Sequence, residues 1–148
     1  MLGREWNNHA AGQYAFAEGY DTSAKGDYSH TEGYMTAGTS YYSHAEGFNT
    51  TASGNNGAHA EGYRTTASGG YGAHSEGRET TASGNGSHAE GIKTTASDTG
   101  SHAEGVNTTA SDYSAHAEGN NTTASGYSAH AEGCDTSALS DWSHVEGN

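Results

Sequence analysis

The sequence has no proline, one cysteine and only five lysines and arginines in 148 residues. Cys134 has no partner for an internal disulfide, and its place in a connecting segment predicts an incidental exposed thiol. Five basic residues against 18 acidic ones, a formal net charge of -13, exclude nucleic acid as a natural partner, because phosphate binding draws on clustered Lys and Arg. Apolar residues make up 30% of the chain and no apolar run approaches the ~20 residues of a membrane-spanning helix, so no membrane insertion by this segment is expected. Met1 to Asn8 is too polar for a signal peptide, which predicts a fragment of a longer chain or another route out of the cell. With 23 glycines and little apolar content, an ordinary globular core is a poor fit.

What is present is repetition. Glu followed by Gly recurs at Glu18, Glu32, Glu46, Glu61, Glu76, Glu90, Glu104, Glu118, Glu132 and Glu146. The period is 14 residues, with single-residue insertions at Gly54-Asn55-Asn56-Gly57 and Gly69-Gly70-Tyr71-Gly72. Composition alone would suit disorder, but a fixed short period argues for a solenoid whose units must stack to bury a face.

The unit Ser101 to Ser114 serves as the example. Ser101 to Glu104 and Thr108 to Ser111 are too short for helices and are separated by turn-forming Gly, Asn and Asp, so each unit is expected to be two short strands. Strand alternation sets Ser101, Ala103, Thr108 and Ala110 between the strands, with His102 and Glu104 on one outer face and Thr109 and Ser111 on the other. The expected fold is all-β: a thin parallel β-roll of ten ~14-residue repeats. Residues 8–148 form the roll and residues 1–7 a cap in which Leu2 and Trp6 cover the first rung. An interior of Ala, Ser and Thr buries little apolar surface, which predicts association of several chains.

Two ladders follow. The first pairs His30 with Glu32, His44 with Glu46, His59 with Glu61, His74 with Glu76, His88 with Glu90, His102 with Glu104, His116 with Glu118, His130 with Glu132 and His144 with Glu146. The second carries Thr51, Thr66, Thr81, Thr95, Thr109 and Thr123, with Ser53, Ser68, Ser83, Ser97, Ser111 and Ser125 two residues on. Phe16 stands in the His position of the first full copy and is expected to seal that end, while His9 aligns with the Thr ladder instead. Tyr28, Tyr41, Tyr42, Tyr71, Tyr113 and Tyr127 fall in the second connection and predict an aromatic column along one edge.

Ser101, Ala103, Gly105 and Ala110, with Thr108 in place of the first small Ala, resemble the head repeat of trimeric autotransporter adhesins (YadA-like, Hep/Hag type), S-V-A-I-G-x-x-A-x-A-x-G with two free positions. The resemblance spans about Asn8 to Gly147 and implies a left-handed roll, a parallel homotrimer, and an extracellular fibre that displays or binds a host-surface protein or glycan. The H-A-E-G variant is similar to repeats of phage tail fibres and tail appendages, which makes a virion tail the other setting. Where the family places Val and Ile against neighbouring chains, this sequence has His102 and Glu104, so the resemblance implies an ionic seam.

The seam is expected to pair His with Glu across chains, raising the His pKa. A second possibility is Zn, Ni or Fe held at the His-x-Glu rungs; otherwise no cofactor is expected. The flat T-x-S array resembles the T-x-T face of ice-binding β-solenoids, giving an ice- or surface-binding alternative. Enzymatic activity is not expected, since a repeated pair offers no unique pocket or nucleophile.

Overall fold

A computed structural model of the chain describes residues 8–147. The expected cap over residues 1–7 lies outside the described residues. Among the described residues, ten short and ten longer strands alternate and sort into two ten-stranded sheets, one made of every short strand and the other of every longer one. Pairing is parallel throughout, and each strand joins its equivalent one repeat away. The chain is a parallel β-solenoid of about ten turns.

Register is exact at the level of the repeat. His88, Ala89, Glu90, Gly91 and Ile92 face His102, Ala103, Glu104, Gly105 and Val106. Across the insertions the step becomes 15 residues, and Ala45 still pairs with Ala60 and Ala60 with Ser75. The extra residues are absorbed in the outer connection, where Gly57 and Gly72 adopt positive φ with open space around them.

The interior is the one strand alternation predicts. Ser101, Ala103, Thr108 and Ala110 are all buried, and the largest fully buried side chains anywhere in the roll are threonines. The strand limits differ from the expected ones. The longer strand is His102–Val106 and the shorter Thr109–Ala110. Ser101 instead closes the preceding turn: its N–H donates to the Asp98 carbonyl at 3.0 Å and its Oγ to the same oxygen at 2.6 Å.

The strand runs on through Gly105 because that residue brings two rungs together. At φ +112°, a Cβ there would lie 2.1 Å from the Gly119 carbonyl oxygen, so only glycine permits the approach. Two residues later the chain reverses through a left-handed position, Asn107 at φ 54°, whose N–H donates to the Ile92 carbonyl at 2.9 Å. Arg64 and Lys93 occupy the same position with φ 55° and 56°. Equivalent bonds from Arg64 to Phe48 and from Lys93 to Arg78 hold side chains that would ordinarily avoid this conformation.

Candidate functional site

The outer surface of the longer-stranded sheet carries the His/Glu ladder. His30, His44, His59, His74, His88, His102, His116 and His130 stack ring on ring at centroid separations of 4.7 to 4.9 Å. The stack ends in two tilted contacts. Phe16 lies 5.4 Å from His30 at 46°, as the sequence leads one to expect of an end residue, and His144 lies 4.7 Å from His130 at 52°. Each strand sets its Glu two residues beyond its His, on the same side. The Nε2 to Oε2 distance is 3.3 Å in His59–Glu61, 3.6 Å in His30–Glu32, His74–Glu76 and His130–Glu132, 3.8 Å in His88–Glu90 and His102–Glu104, and 4.0 Å in His44–Glu46.

These contacts lie within one chain and one rung, and none of them is a hydrogen bond. The Nε2 atoms from His30 through His130 are buried by the stack yet have no hydrogen-bond partner. Glu and His side chains remain roughly one-third to one-half exposed at their edges.

Within one chain, burial and stacking lower the pKa of three ladder histidines. His102 has its pKa lowered, first by burial and then by the facing imidazoles of His116 and His88, which outweigh the opposing pull of Glu104 and Glu90. His59 is lowered in the same order of causes, by burial and then by His44 and His74. Burial and His130 likewise lower His116. Within one chain, burial first and the flanking imidazoles second outweigh the nearby carboxylates at these three histidines.

The short-stranded sheet places Thr51, Thr66, Thr81, Thr95, Thr109 and Thr123 in one half-exposed column. Ser68, Ser83, Ser97 and Ser111 lie exposed beside it, with Ser53 and Ser125 half-buried. His9 pairs with Ser23 at the head of this column, as its alignment predicts.

The tyrosines form more than the single column expected. Tyr14, Tyr28 and Tyr42 stack at 5.2 Å on left-handed turn residues, whereas Tyr113 and Tyr127, one position earlier in their turns, stack at 5.1 Å and end on Trp142. A further column escaped sequence reasoning altogether. Tyr20, Tyr34, Phe48 and Tyr63 stack at 5.0 to 5.1 Å, two residues beyond the ladder glutamates and on the same face. The signal was available: an aromatic after Glu-Gly at four successive repeats. These rings cover one another's faces, and Arg64 and Arg78 sit over Tyr63 at 5.2 and 5.9 Å, so the column presents edges rather than stacking platforms. Cys134 ends a strand rather than lying in a turn; it is exposed, and the charge of Asp135 pushes its thiol pKa up.

Residues 75–97 and 113–139 each match the family model described as the YadA head domain repeat. These stretches fall on the same roll, about one repeat apart. No curated protein matches the chain.

Proposed function

We propose that the chain is a rigid, non-catalytic segment of an adhesive fibre displayed outside the cell, in which three copies run parallel about one axis. The single observation that carries this reading is the unbroken parallel register of a ten-turn solenoid, two stretches of which match the YadA head repeat. Ten rungs at about 4.8 Å make a segment roughly 45 Å long, suited to holding a binding surface away from its anchor. A cell-surface adhesin head and a phage tail appendage both use such a segment, with a surface protein or glycan as the target.

The His/Glu face is the proposed seam between chains. Its support is the row of Nε2 atoms that find no partner within one chain, since buried polar atoms are normally satisfied. Carboxylates from a neighbouring chain would satisfy them and fix the relative height of the three rolls. The Thr/Ser face then points outward.

Molar mass by light scattering after size exclusion tests the assembly. A trimer at neutral pH is the expected result. A monomer would overturn the fibre and bring forward the Thr/Ser ladder as an ice- or surface-binding face, which thermal hysteresis reads directly.

A further inference from the structure

Three groups of the ladder bring two imidazoles and a carboxylate within 4.8 Å of one another: His59, Glu61 and His74; His74, Glu76 and His88; and His130, Glu132 and His144. The first two share His74, whose Nε2 has one lone pair and serves one ion at most, so they are mutually exclusive.

Ring orientation separates them further. An imidazole binds a metal along the lone pair, in the plane of the ring. His59, His74 and His88 are nearly parallel, at 7° and 12°, with centroids 4.8 Å apart. An ion midway between such rings would sit about 2.4 Å out of both planes, farther than a Zn–N bond is long. His130 and His144 are inclined at 52°, so the parallel stacking that keeps an ion out of both ring planes is absent between them.

The third ligand has the right bite. Nε2 of His130 and Oε2 of Glu132 are 3.6 Å apart, too long for a hydrogen bond. With metal bonds of about 2.1 Å to each, that span subtends about 118°, near the tetrahedral angle. At His44–Glu46 the 4.0 Å span would demand about 144°. His130 Nε2 is also one of the buried atoms left without a partner.

We propose that His130, Glu132 and His144 form a single site for a tetrahedral first-row divalent ion, zinc or nickel in class, with a fourth position open to solvent. The mixed nitrogen and oxygen donors suit such ions and not calcium or magnesium. All three ligands come from one chain, so an ion can bind in a lone roll as well as on the face proposed as the seam.

The test uses the chain without a polyhistidine tag, stripped with EDTA and titrated calorimetrically with zinc chloride and nickel chloride, with cobalt absorption reporting geometry. One equivalent per chain with a tetrahedral cobalt spectrum is expected, lost in His144→Ala and weakened about tenfold or more in Glu132→Gln. His59→Ala keeps the full equivalent. Far-UV circular dichroism on each variant separates loss of ligand from loss of fold. Several equivalents per chain, or binding that survives His144→Ala, overturns the assignment. Light scattering on the same samples reads assembly independently, so a monomer with one bound ion would sink the fibre and leave the site.

Discussion

Ser75 and Thr80 share a 2.8 Å hydrogen bond between their hydroxyls inside the roll. The other rungs have Ala in the Ser75 position, apart from Thr31 and, in the last rung, Val145. The equivalent hydroxyls of Thr36, Thr50, Thr65, Thr94, Thr108, Thr122 and Thr136 are buried with no partner. Thr108→Val should therefore stabilise the roll by about 1 kcal/mol, because it removes an unpaired polar atom without changing shape. Thr80→Val should cost about 1 to 3 kcal/mol, because it strands the Ser75 hydroxyl. Paired denaturant melts check the sign difference; equal effects would refute it.

Gly38 and Thr31 compensate each other in volume. A Cβ on Gly38 would lie 3.0 Å from Thr31 Cγ2 and from Ser43 Oγ, and elsewhere these two interior positions are mostly both Ala, as in Ala45 and Ala52. Gly38→Ala alone should destabilise by about 1 to 2 kcal/mol through overpacking, and Thr31→Ala alone through lost contact. Together they rebuild the standard rung, so the double variant should be at least as stable as the parent. A double-mutant cycle showing simple additivity would end this account.

Acid should loosen the roll. His102 is lowered by burial and by His116 and His88 against Glu104 and Glu90, so its folded-state pKa lies below the unfolded value of about 6.5. Between those two values the unfolded chain binds more protons. The stability this group contributes is thus complete above about pH 6.5 and is lost as pH falls through the folded pKa. Melting temperature should be level from pH 7 to 9 and decline from pH 6.5 towards 5. This holds for a roll standing alone; a rise on acidification would show that carboxylates of a neighbouring chain govern the ladder, as they would in the proposed seam.

Two glycines with positive φ should respond very differently to the same change. Gly105→Ala drives a methyl group into the Gly119 carbonyl and should cost about 3 kcal/mol or more, splitting the sheet at one rung. Gly100, at φ 66°, has only Ser114 Oγ nearby at 3.5 Å, and Ser114 and Ser128 hold the same left-handed position in later repeats. Gly100→Ala should cost about 1 kcal/mol. Calorimetric melting of both variants gives the comparison.

Much of this was legible before any coordinates. Period two along Ser101 to Glu104 placed Ala103 inside and His102 outside, and the repeat spacing placed Phe16 in the His column. What the sequence hid depends on neighbours one turn away. Gly105 reads as a turn former until the Gly119 carbonyl is seen beneath it. His102 reads as the partner of Glu104, two residues off, although its ring is also stacked between His88 and His116, 14 residues away on either side. The Tyr20 column was overlooked because the strand was expected to end at Glu, whereas it runs two residues farther. The two insertions, by contrast, are legible as single extra residues in Gly-rich runs, which fall in the outer connection.

Those insertions also mean that the length of the roll is quantised. Removing one whole repeat shortens the molecule by about 4.8 Å and leaves every column continuous, whereas removing half a repeat would set His against Thr and erase both faces at once. Gly57 and Gly72 mark where added sequence escapes that arithmetic, since nothing lies within 4 Å of the space a Cβ would occupy there. Foreign peptides grafted at these two points would decorate the shaft without altering its ruler.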